Sequence, residues 1–139
     1  MTKEEELSQY MYQIEQYKEQ LNQLDIQSQY LQSAMLDYSK AKITLEQLDK
    51  LDKEVDMLVP IGGGTFLDSK VNNSSKVLID IGMGYVTEKT NQDAIKKIDK
   101  RINELKKTQD RLNEIIEQVQ NEVATVSSKA QELVGEEKK

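Results

Sequence analysis

The 139-residue sequence has no cysteine, no histidine and no tryptophan, and only one proline and one phenylalanine. Without cysteine there are no disulfides and no thiolate nucleophiles. The added lack of histidine removes Cys/His zinc sites and any imidazole general base. No apolar run is long enough to span a bilayer, and "MTKEEELSQY" lacks the basic-then-apolar order of a signal peptide. The formal net charge is −6. An acidic surface of this kind argues against binding to phosphate backbones, so neither nucleic acid nor membrane is an expected partner. The absence of cysteine fits a reducing, cytoplasmic setting.

What remains is a polar chain, 32% charged and 37% hydrophobic. Such a composition either stays disordered or buries its apolar residues along a narrow seam. The spacing favours the seam. Residues 2–57 contain neither glycine nor proline and open on Thr2-Lys3-Glu4-Glu5, a capping-box spacing. Apolar residues then recur at Leu7, Tyr10, Ile14, Tyr17, Leu21, Leu24, Leu31, Met35, Tyr38 and Leu45, with Ser28 and Lys42 as polar members of the same heptad stripe. Past Leu45 the stripe shifts to Leu48, Leu51, Val55 and Leu58, which predicts a stammer in a helix running to about residue 57.

The segment 90–134 repeats the pattern without a slip. Thr90 can cap, and Ile95, Ile98, Ile102, Leu105, Gln109, Leu112, Ile116, Val119, Val123, Val126, Ala130 and Leu133 follow steps of three and four. Gly135 is expected to end this helix, leaving 135–139 as a solvated tail. Two seams joined by a returning connector predict an antiparallel coiled-coil hairpin in a single domain that is mainly α with a little β.

The connector, residues 58–89, holds the proline, the phenylalanine and five of the six glycines. Pro60 is expected to stop the first helix. "TFLDSKV" and "KVLIDI" alternate as strands, and Asn72-Asn73-Ser74-Ser75 has turn chemistry. Folding about that turn sets Gly62–64 opposite residues 82–85. The glycines then read as breaks that fold one long hairpin into two shorter ones, a double β-hairpin insert with residues 60–61 pairing with 85–88. A two-stranded ribbon is marginal alone and leaves its edges open. The insert therefore reads as an assembly module completed by other chains.

These residues carry a resemblance. "LVPIGGGTFLDSKV" and "KVLIDIGMGYVTEK", between two long heptad helices, resemble the prefoldin family, and within it the alpha class with two hairpins. The likeness covers essentially the whole chain, and the insert is its specific part. It implies a hexamer of two alpha and four beta subunits, of a simple archaeal type, with a double β-barrel platform and six projecting coiled coils. It also implies that unfolded client proteins are held at the coiled-coil ends without nucleotide and passed to a group II chaperonin.

On this reading the insert residues expected to join subunits are Phe66, Leu67, Val71, Val77, Ile79, Ile81, Tyr85 and Val86. The client-binding ends are expected to be formed by Leu7, Tyr10, Met11, Tyr12, Ile14 and Tyr17 of the first helix and Val126, Ala130, Leu133 and Val134 of the second. Met11 and Tyr12 lie off the seam; the others can equally pack against the opposite helix. The rival reading is a structural scaffold whose arms tether specific partners. An enzyme is not expected, and no cofactor is. "GGGT" lacks the lysine of a P-loop, "GMGYVT" lacks the third glycine of a dinucleotide fingerprint, and the carboxylates sit among lysines on helix faces.

Overall fold

The computed structural model describes residues 2–51, 54–72 and 76–137, with only the backbone at the last of these. The elements run α1 (Lys3–Asp49), β1 (Val55–Gly62), β2 (Thr65–Val71), β3 (Val77–Gly82), β4 (Tyr85–Lys89) and α2 (Asn91–Glu137). They divide into two compact units. The first comprises residues 1–34 and 105–139, the second residues 35–104.

Local chemistry starts both helices. Glu5 N–H donates to Thr2 Oγ1 at 3.2 Å and Thr2 N–H donates to Glu5 Oε2 at 3.3 Å, so the capping box closes in both directions. Thr90 Oγ1 accepts from the Asp93 N–H at 3.2 Å and caps α2.

In the first unit the two helices pack antiparallel through the predicted stripes. Leu24, Leu112 and Val119 are buried, and Tyr17, Leu21, Leu31, Ile116 and Val123 pack on them. The stripe is interrupted by one polar layer. Gln109 Nε2 donates to Ser28 Oγ at 3.0 Å across the helices and to Asn113 Oδ1 at 2.9 Å along its own. Gln109 Oε1 is buried without a partner. An imperfectly satisfied polar pair inside a heptad seam weakens it but penalises every other register.

In the second unit the last turns of α1 lie beside the first turns of α2. Ala94 and Ile98 are buried there. Asn91 Nδ2 donates to the Leu45 carbonyl at 3.0 Å, Gln92 Nε2 donates to Asp49 Oδ2 at 3.1 Å, and Lys42 Nζ stands 2.6 Å from Asp99 Oδ1. Contact with Asp99 raises the Lys42 pKa above that of an ordinary lysine, against a smaller opposing effect of desolvation.

Three sequence expectations need correction. First, α1 ends at Asp49 rather than near residue 57, and Val55 and Leu58 belong to β1. The final turn tightens, with Lys50 N–H on Gln47 O and Leu51 N–H on Leu48 O, both at 3.2 Å. Of the expected stammer, Leu48 is half-buried and Leu51 exposed, and neither leads into a further helical turn. The reason is the ladder: a seven-residue β2 needs a partner, and Val55-Asp56-Met57-Leu58-Val59 supplies one with alternating faces. Pro60 accordingly lies within β1, opposite Phe66, where the register slips before Gly62. Proline is tolerated at such an edge-strand irregularity.

Second, α2 continues through Gly135 to Glu137. Gly135 does not adopt the positive φ of a helix-ending glycine. Third, the insert is two hairpins, but they are paired differently from the expected fold. Among the described residues β1 pairs only with β2 and β3 only with β4, so residues 60–61 do not pair with 85–88. The turn expected at 72–75 falls between the hairpins, and its residues 73–75 lie outside the described residues.

Candidate assembly and client-binding surfaces

Each hairpin turns at its glycines. Gly63 and Gly64 have φ of 57° and 71°, and Met83 and Gly84 have 53° and 79°. Two consecutive positive φ values in a two-residue loop make a type I′ turn, whose twist matches that of the flanking strands. The loops are closed by the pairs Gly62↔Thr65 and Gly82↔Tyr85, and each follows a one-residue irregularity, at Ile61 and at Ile81. In the second hairpin the Gly82 N–H at this step donates to Asp80 Oδ1 at 2.8 Å.

The two turns thus share one design. Ile61-Gly62-Gly63-Gly64 and Ile81-Gly82-Met83-Gly84 are an internal repeat offset by twenty residues. That repeat is the sequence signal that the glycines turn each of the two hairpins, in place of breaking their strands. It also accounts for "GGGT": the glycines reverse the chain between antiparallel strands, whereas a phosphate loop joins a strand to a helix.

The strands alternate. In the first ribbon Val55, Met57, Ser69 and Val71 are half-buried, and Ser69 Oγ donates to the Met57 carbonyl at 3.2 Å. In the second, Val77, Ile79, Thr87 and Lys89 are half-buried. Of the residues expected to join subunits, Val71, Val77 and Ile79 are therefore partly covered within the chain. Phe66, Leu67, Ile81, Tyr85 and Val86 are exposed, Tyr85 at 70%. Leu58, Val59, Ile61, Leu78 and Met83 are exposed as well, with Met83 at 99%. Among the described residues each strand has a single ladder partner, so each ribbon also presents two open edges.

The helix-end residues lie in the first unit and separate into two kinds. Leu7, Tyr10, Ile14, Tyr17 and Leu133 are half-buried in the seam, while Met11, Tyr12 and Val134 are exposed. Val126 and Ala130, expected at the client-binding end, are each only 8% exposed and present no surface; they fill the seam against α1. The Tyr17 phenol is hydrogen-bonded to Glu122, which raises its pKa, with smaller contributions from desolvation and from the carboxylate charge. Ile26 and Tyr30, absent from the expected client-binding set, are further exposed apolar residues on α1 outside the stripe. Their off-seam heptad positions were the available signal. Among the described residues no group of acidic side chains is arranged to hold a metal, and no helix is long and apolar enough to cross a membrane.

A prefoldin subunit model matches residues 5–136. The chain belongs to the prefoldin family, on its archaeal alpha-subunit branch. It is 33% identical over 103 residues to the prefoldin subunit alpha of Archaeoglobus fulgidus, covering 74% of this chain and 73% of that one. It is 32% identical over 136 residues to the prefoldin subunit alpha of Pyrococcus horikoshii, covering 94% and 88%. A chain of the filamentous PFD of Methanocaldococcus jannaschii, solved by cryo-electron microscopy, matches with a TM-score of 0.53 over 96% of this chain and 98% of its own, at 23% identity. That likeness shows the shared helix–hairpins–helix fold. Membership makes the chain a component of a non-catalytic, cytoplasmic chaperone.

Proposed function

We propose that this prefoldin chain is an ATP-independent holdase subunit. Its two ribbons join those of beta-type subunits in a β-barrel platform, in a complex of two alpha and four beta chains. The ends of its helices hold unfolded clients until transfer to a group II chaperonin. One observation carries the assembly half: apolar side chains stand exposed along both two-stranded ribbons, and the strand edges are open. Surface of this kind is costly in water and is satisfied by strands from other chains. Met11, Tyr12 and Val134 support the client half, since exposed methionine and tyrosine make adaptable apolar contacts.

The test mixes the chain with a beta-type subunit. Native mass spectrometry reads the stoichiometry, and light scattering of an unfolded client without nucleotide reads the holdase. A complex that assembles but leaves aggregation unchanged would reduce the chain to a scaffold. A chain that stays single would remove the platform.

A further inference from the structure

We propose that unfolded polypeptide is gripped along the outer face of α1, at Ile26 and Tyr30, as well as at the helix end. The inference rests on the holdase reading above and extends it to a second contact site on the same unit.

Continuing the heptad lettering from the seam, Met11 and Tyr12 fall at e and f, Ile26 at f and Tyr30 at c, so none belongs to the a/d stripe. Tyr12 is 66% exposed and Tyr30 75%. Ile26 and Tyr30 are one helical turn apart and flank a shallow groove of about 340 Å³, completed by Gln29 and Ser33.

The surroundings of these side chains indicate the occupant. Residues 7–34 of α1 contain four charged side chains (Glu15, Lys18, Glu19, Asp25) and eight glutamines. The equally long stretch 105–132 of α2, in the same unit, contains nine charged side chains. The exposed apolar residues of this stretch of α1 are thus set in a field of neutral amides. A glutamine side chain both donates and accepts hydrogen bonds, the two functions that an unpaired peptide group requires.

A folded partner is a poor match. A stable interface needs on the order of 800 Å² of continuous surface per partner. Within residues 7–34 the exposed apolar groups form two small pairs, Met11 with Tyr12 and Ile26 with Tyr30, separated by residues 13–25, whose exposed positions are polar; Leu36 and Ile43 follow singly further along α1. A flexible chain can bridge such a gap, touching both pairs with apolar side chains and the intervening amides with its backbone.

The experiment uses the full complex with a beta-type subunit and citrate synthase unfolded in guanidinium chloride as the client. The double variant Ile26→Gln/Tyr30→Gln is compared with Met11→Gln/Tyr12→Gln and with wild type. In parallel, a benzophenone amino acid is placed at position 26 or position 30. The proposal expects an unchanged mass of the complex, a roughly threefold to tenfold loss of aggregation suppression in the double variant, and photocrosslinks from both positions to citrate synthase. Where scattering and crosslinking differ, the crosslink decides. Wild-type suppression together with no crosslink to the client would overturn this inference while leaving the holdase reading intact. Crosslinks to another subunit, or a changed mass, would overturn it by making the face an interface between chains. Failure of the wild-type complex to suppress aggregation would remove the holdase reading and this inference with it.

Discussion

The helical seam and the β-ribbons use apolar residues in opposite ways. In the first unit Leu24, Leu112, Val119, Val126 and Ala130 are covered by the opposing helix of the same chain. In the ribbons Phe66, Leu67, Leu78, Tyr85 and Val86 are as apolar and remain in water. Two helices suffice to bury a heptad stripe, because each needs only one face covered. A two-stranded ribbon has two faces and two edges, and its own strands cover neither edge. The seam is a finished structure; the ribbons are half of one.

That contrast can be broken most forcefully at the exposed ribbon surface. Tyr85→Asp/Val86→Asp should abolish assembly with a beta-type subunit, weakening association more than about 100-fold, while circular dichroism of the free chain retains its helix content. Persistence of the complex in native mass spectrometry would show that this surface is not the interface. Leu112→Ala should act the other way. It should cost about 2–5 kcal/mol of helix-pair stability by leaving a cavity in the seam, read by chemical denaturation, with subunit stoichiometry unchanged.

A smaller effect separates the two turns. Met83 holds a left-handed backbone without being glycine, which costs roughly 1–2 kcal/mol. Met83→Gly should therefore slow hydrogen exchange of the β3–β4 amides, and Gly84→Val should speed it. Identical protection in both variants would mean that the turn does not govern the ribbon.

The polar layer tests what the seam gains from an imperfect contact. Ser28→Ala/Gln109→Leu should leave stability unchanged or raise it by up to about 1 kcal/mol, while a second helix register becomes detectable by crosslinking. A clear loss of stability would show that the pair holds the seam together and does not merely set its register.

The smallest effect is at Lys42. Its pKa is raised in the folded chain, so its pairing with Asp99 contributes fully below the ordinary lysine pKa and is lost as pH rises through the folded value. Lys42→Met should flatten part of the alkaline decline in thermal stability above about pH 10, with little change near neutrality.

Much of this architecture was legible in the residues. The capping box of Thr2 and Glu5, the Thr90 cap, the a/d stripes, the polar members Ser28 and Gln109 and the strand alternation all appear where their spacing places them. The candidate surfaces were legible in part. Phe66, Leu67 and Tyr85 are exposed on the ribbons, whereas Val126 and Ala130 continue the heptad stripe and are buried with it. A heptad shows which residues form a seam. It does not show where that seam opens, because this depends on how closely the opposite helix follows to its end.

What the sequence determined by itself is local. Helix starts, heptad phase and strand faces follow from interactions within a few residues, so they can be read one segment at a time. Tertiary structure decided the strand partners and the end of α1. Period-two alternation specifies a face but is silent about which neighbour a strand joins. The free energy that draws residues 55–59 into β1 comes from a hydrogen-bond ladder with residues 67–71, on the far side of the glycine turn.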